Sequence, residues 1–177
     1  MEISIRQERL KEYSITEEVV RRAFSHEKFS DKQEHFLVSR IRKSGEFIPE
    51  LSLVAVTPNS EIVGHILLSK IKIVDVEQEI ESLAMAPVSV IPEFQHQGIG
   101  SRLIHTSLHR AKELGHSSVI VLGHQDYYPK FGFKPASLWN IKAPFDIPDE
   151  LFMALELQKN SLQHVQGVVQ YPRAFTT

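Results

Sequence analysis

The sequence predicts a mixed α/β fold, and three observations lead there. Two segments of helical period follow a short first strand, each behind a polar start signal. The period then changes to the alternation of strands. A helix closed by Gly115 next separates two strand segments, which makes them a parallel pair joined by a crossover.

Residues 3–6 alternate apolar and polar and read as a short first strand. Ser14-Ile15-Thr16-Glu17 has the form of a capping box ahead of Val19, Val20, Ala23 and Phe24, which predicts a helix from that point. Ser30-Asp31-Lys32-Gln33 repeats the signal before Phe36, Leu37 and Ile41, and Ser44-Gly45 with Pro49 ends the second helix. Residues 51–56 form a β-branched strand and residues 62–74 a longer, alternating one. The turn Thr57-Pro58-Asn59-Ser60 joins them as a hairpin. Residues 80–90 are a further strand in which Pro87 lacks the N–H that a regular ladder needs. A glycine-rich turn leads into a helix over residues 99–114. Residues 119–122 are wholly apolar, as suits a strand buried on both faces. A brief helical turn at 127–131, a strand at 152–157 and a last strand at 168–171 complete the reading.

The 177 residues fit one domain over 1–177, with its core at about 3–157 and a tail at 158–177. Twenty Lys and Arg against 22 Asp and Glu leave a net charge of -2, which gives no reason to expect nucleic acid or an anionic membrane as partner. No apolar run reaches the length of a membrane span, and Met1-Glu2-Ile3-Ser4 does not open a secretory signal, so a cytoplasmic protein is expected. The absence of cysteine excludes disulfides, thiolate metal sites and a cysteine nucleophile.

Gln95-His96-Gln97-Gly98-Ile99-Gly100-Ser101 carries the most chemistry. It joins a strand to the first turn of a helix, where backbone N–H groups lack partners and the dipole is positive. Gly98 and Gly100 let an anion approach the main chain, so the segment suits a pyrophosphate. A dinucleotide fingerprint needs a third glycine where Leu103 stands, and a Walker loop needs a Gly-Lys pair that is missing. A tight turn without a ligand is the remaining alternative.

This Gln95-x-x-Gly98-x-Gly100 pattern, with Tyr128-x-x-x-Gly132-Phe133 downstream, resembles the GNAT acetyltransferase superfamily. Residues 83–90 and 123–129 look like one bacterial subgroup of N-acetyltransferases within it. The resemblance implies a mostly antiparallel sheet, flanked by helices, with a V-shaped split between two parallel strands. It implies acetyl-CoA as cosubstrate. The amides of Gln95, His96, Gln97, Gly98, Ile99, Gly100 and Ser101 would hold the pyrophosphate, and the backbone of Val88, Ser89 and Val90 would pair with the pantetheine arm. His124, at the end of the short apolar strand, would lie near that arm or the substrate.

Acetylating an amine requires removing a proton. An amine of pKa about 10.4 is neutral in about one part per thousand near pH 7, a deficit of about 4–5 kcal/mol. Glu81 is the first candidate base, with Glu79 on the same strand face as its competitor. Tyr128 is the candidate partner for the leaving thiolate, through hydrogen bonding rather than full proton transfer, and the motif register favours it over Tyr127. His105 and His109 lack the glutamate of a zinc helix, and no metal is expected. His65 could line the acceptor pocket or be buried.

The expected reaction is direct transfer of acetyl to a small-molecule or peptide amine in a ternary complex. A coenzyme A-binding regulatory module without catalysis, and an acyltransferase with a longer acyl donor or a hydroxyl acceptor, are the alternatives. The first two helices, residues 25–31 and residues 139–148 are expected to shape the acceptor site. The long hairpin and the strand at 168–171 offer edges for a homodimer.

Overall fold

The computed structural model describes residues 2–176; Met1 and Thr177 lie outside the described residues. The elements in chain order are β1 (Ser4–Gln7), α1 (Tyr13–Phe24), α2 (Glu34–Arg42), β2 (Ser52–Val56), β3 (Ile62–Val74) and β4 (Glu79–Val90). There follow α3 (Ile99–Glu113), β5 (Ser118–Leu122), β6 (Lys134–Pro135), β7 (Ile141–Lys142), β8 (Phe152–Glu156) and β9 (Gly167–Gln170). The strands form one sheet of order β1-β2-β3-β4-β5-β8-β6. β9 continues the edge of β3 where β2 ends, pairing with Lys72, Ile73 and Val74, and also pairs with β7. Among the described residues only the β4–β5 and β7–β9 pairs are parallel.

Strand alternation sorts the core onto two faces. Leu83 and Met85 of β4 join the large cluster with Leu103, Ile104, Leu108 and Ala111 of α3. Ala84, between them, belongs to the opposite cluster with Ile71, Ile73, Ile120 and Val169. On that second face Val20 of α1 and Val38 and Ile41 of α2 pack with Leu67 of β3. Each fully buried aliphatic side chain of this kind contributes about 1.5–3 kcal/mol.

Local starts differ from the simplest sequence reading. α1 begins at Tyr13, not behind Ser14, because Glu12 organises the entry. Its carboxylate accepts the Arg9 N–H at 2.8 Å and both Arg6 guanidinium nitrogens, at 2.9 and 2.7 Å. The Arg6 contact holds the Glu12 carboxyl down to about 2. Before α2, Ser30 Oγ accepts the Lys32 N–H and Asp31 Oδ1 the Gln33 N–H, both at 2.9 Å, so this signal shapes a turn ahead of Glu34. The strand expected at 168–171 is β9, paired on one side with β3 along Val168, Val169 and Gln170 and covered on the other by β7 at Gly167 and Val168.

A buried polar chain ties these layers together. Ser52 Oγ donates to Glu8 Oε1 at 2.7 Å and lies 2.9 Å from His65 Nε2. Nε2 therefore carries the proton and donates to Ser52. Glu8 pairs with Arg42 of α2, which also reaches Glu17 of α1 at 2.8 Å. Burial, with help from the Arg42 charge, pushes the His65 imidazole down to about 3.

Candidate active site

β4 and β5 touch over a short stretch. Their parallel register is confined to Leu83 with Val119 and Ala84 with Ile120, while β4 runs on to Val90 along β3. The β5-facing edge of β4 beyond Ala84 is therefore unpaired, and the strands diverge as a V. β4 also shifts register against β3 between Ile66 and Leu68, opposite Ala86 and Pro87. Proline cannot supply a ladder N–H, so the irregularity falls where the sequence requires it.

The segment 95–101 closes the open end. Gln95 Nε2 donates to the Val90 carbonyl at 2.8 Å, which anchors the loop to the end of β4. Gly98 caps α3 in the left-handed conformation, φ 81°, and His96 also has positive φ, 63°. The first intrahelical bond runs from the Arg102 N–H to the Gly98 carbonyl at 3.1 Å. The amides of Gly98, Ile99, Gly100 and Ser101 thus precede the helix ladder and can serve an anion. A Cβ at Gly98 would meet nothing within 4 Å, so the cradle has room. Val88 and Val90 are half-buried, whereas Ser89 is buried with its Oγ unpartnered.

The segment after β5 brings both tyrosines to this end. The His124 carbonyl accepts the amides of Tyr127 at 3.1 Å and Tyr128 at 3.3 Å, while its side chain is exposed. Tyr128 opens a 3-10 turn, Tyr128–Phe131, that Gly132 ends at φ 101°. The Tyr128 ring lies against Gly123 so closely that a Cβ there would come within 2.3 Å of it. The ring also meets Phe133 edge-on at 5.8 Å. Burial, and secondarily the neighbouring Tyr127, push the Tyr128 phenol up to about 12. Tyr127 serves the loop instead: its hydroxyl is 3.4 Å from where a Cβ on Gly100 would sit, and Lys130 Nζ stands 4.1 Å from its ring centroid.

Glu81 is not brought beside Tyr128 and the 95–101 segment. It precedes the Leu83–Ala84 contact, beyond the apex of the V, and it is exposed. It lines a separate cleft with Lys70, Lys72 and Arg173, and its strand parity is that of Leu83, opposite to Ala84. Glu79 is likewise held elsewhere, 3.2 Å from Lys72 Nζ. His65 lies in the buried chain described above. His105 packs edge-on against Phe131, and His109 lies beside Glu113.

A cavity of about 1240 Å³ opens on the sheet face of Ala84. It reaches Ala84, Met85 and Ala86 of β4 and Ile120 and Leu122 of β5, so it meets the split from the side opposite α3. Leu37 of α2 and Phe145 contribute, but the stretch 25–31 does not. The remaining wall comes from Asp75, Val76, β9, Tyr171 and Phe175, none of which the sequence reading singled out as site residues. Gly167 is the one local signal: at φ 135°, a Cβ on it would lie 2.2 Å from the Val74 carbonyl oxygen, so glycine lets β9 close onto β3.

Comparison with known proteins agrees with this architecture. Residues 49–135 match the family described as acetyltransferase (GNAT) domain. The chain is 39% identical over 137 residues to the uncharacterized N-acetyltransferase YjhQ of Escherichia coli K12, covering 75% of this chain and 71% of that one. A GNAT family acetyltransferase from Brucella melitensis, solved with acetyl-CoA, superposes with a TM-score of 0.80 at 29% identity, over 98% of both chains. Escherichia coli YhbS, solved with CoA, has the same fold, with a TM-score of 0.87 over 99% of this chain and 92% of its own, at 24% identity. By sequence kinship and by its divided sheet, the chain belongs to the GNAT N-acetyltransferase family.

Proposed function

We propose that the protein transfers acetyl from acetyl-CoA to a primary amine by direct attack in a ternary complex. The observation that supports this most strongly is the split itself. It runs from the glycine-capped start of α3 to a cavity on the opposite face of the sheet, so donor and acceptor can meet where the strands part, beyond the Ala84–Ile120 pair.

The amides at the start of α3 hold the pyrophosphate, and the unpaired edge of β4 at Val88 and Ser89 pairs with the pantetheine amides. Tyr128 keeps its proton: giving it to a thiolate of pKa about 8.5 would be uphill by about 5 kcal/mol. The hydroxyl instead donates a hydrogen bond as charge gathers on sulfur. The amine nitrogen bonds to the thioester carbonyl carbon, the C–S bond breaks, and one amine proton leaves through water rather than to Glu81. The sulfur is finally protonated from solvent.

The test is incubation with acetyl-CoA and a panel of primary amines, following free thiol and the mass of the amine. Equal release of thiol and acetylated amine is expected. Tight cofactor binding with no acetylated product across the panel would leave a binding module in place of an enzyme.

A further inference from the structure

The cavity on the Ala84 face carries information about the acceptor. We infer that it takes a primary amine borne on an apolar, preferably aromatic body, an arylalkylamine in chemical class, and disfavours polyamines, amino sugars and lysine-rich peptides. This rests on the acetyl-transfer reading above and names the substrate class for that site.

The wall farthest along the tail is aromatic. Phe145 and Tyr171 stack with centroids 6.2 Å apart and planes 18° apart, and Tyr171 meets Phe175 at 5.1 Å. The rim remains apolar as it reaches solvent, since Val76 is 97% exposed and Val168 42%. Asp75 is the one charged side chain among the described lining residues. Its carboxylate already accepts the Val76 N–H at 2.6 Å and Gln166 Nε2 at 3.2 Å. A polycation entering this space would leave most of its charges desolvated and unpaired. A single amine on an aromatic body loses only one hydrated charge and gains stacking against the rings.

The same apolar surroundings serve the chemistry. Desolvation disfavours the ammonium form and lowers the amine's pKa, which offsets part of its deprotonation cost without a carboxylate at the split. Atoms balance with no further reactant: the C–N bond replaces the C–S bond, the amine proton leaves through water, and the thiolate takes up a proton.

The experiment measures kcat/KM with acetyl-CoA for 2-phenylethylamine, hexylamine, spermidine, glucosamine and a lysine peptide. The two apolar amines should exceed the others by tenfold or more, with phenylethylamine first. Phe145→Ser, at a half-exposed site that tolerates a polar side chain, should raise KM for phenylethylamine at least tenfold and leave acetyl-CoA affinity alone. Calorimetric binding of phenylethylamine to the CoA-saturated protein should weaken in parallel. A preference for spermidine, glucosamine or the peptide overturns the inference. So does a rate that rises with acyl chain length from acetyl- to octanoyl-CoA while ignoring the amine body, which would give the cavity to the acyl tail. If acetyl-CoA itself fails to bind, the acetyl-transfer reading falls. Phenylethylamine binding without cofactor, compared in wild type and Phe145→Ser, still reports on the cavity.

Discussion

Tyr128 sits between the end of β5 and Phe133, and its burial sets its chemistry. Tyr128→Phe should lower kcat and kcat/KM together by about 10²–10³, while calorimetric acetyl-CoA affinity is unchanged. With its pKa near 12, the phenol stays protonated through the working range. The kcat/KM profile should therefore rise from pH 6 to 10 as the amine loses its proton, with no falling limb from this residue. Tyr127→Phe should weaken cofactor binding instead, because the Tyr127 hydroxyl adjoins Gly100. His65 sets a different pH dependence. Its pKa is about 3 in the fold against an ordinary 6.5, so the unfolded chain binds a proton that the folded one refuses. Its contribution to stability is full above about pH 6.5 and falls by about 1.4 kcal/mol per unit as pH drops toward 3. From pH 6.5 to 5 the wild type should lose roughly 2 kcal/mol more than His65→Gln in denaturant unfolding. The Y-x-x-x-G-F spacing is local, which is why the sequence alone nominates Tyr128 as a candidate. Where Glu81 lies relative to the apex of the split depends on where β5 stops pairing, which β4's own sequence does not encode.

The elements were legible wherever their signals are local. The β2–β3 hairpin, the irregularity at Pro87 and the α3 boundaries follow from turn residues, a missing N–H and flanking glycines. The two-residue strands β6 and β7 are too short to show a period, and β9 takes its place through pairing with β3. Gly123 shows how an element positions chemistry. Its missing Cβ admits the Tyr128 ring, so Gly123→Ala must displace that ring or the end of β5. Turnover should fall by the same order as in Tyr128→Phe, with acetyl-CoA affinity kept within a few-fold. Full activity in Gly123→Ala would show that the ring's position there is irrelevant to the reaction.

Across the whole molecule, three layers meet at one cleft. α3 lies on one face and presents its N-terminus, α1 and α2 lie on the other, and β9 with the tail closes the cavity. No helix among the described residues is long and apolar enough to cross a membrane. The candidate donor loop, residues 95–101, is contiguous and so stands out as a motif. Of the cavity wall, α2 and residues 139–148 were expected and contribute Leu37 and Phe145, whereas Asp75, Tyr171 and Phe175 join them only after the sheet has closed. The claim that joins both sides is that acetyl-CoA lies in the split with its pyrophosphate on the start of α3. Titration calorimetry of acetyl-CoA into wild type and Gly98→Glu tests it most directly. The new side chain has open space around Cβ, so it costs about 1–2 kcal/mol of left-handed strain and leaves the fold in place, while its carboxylate occupies the anion cradle. Wild type should bind one acetyl-CoA per chain and gain about 2.7 kcal/mol of stability at 100 times the dissociation constant, and the folded variant should show no binding. Equal affinity in the two proteins would contradict the account.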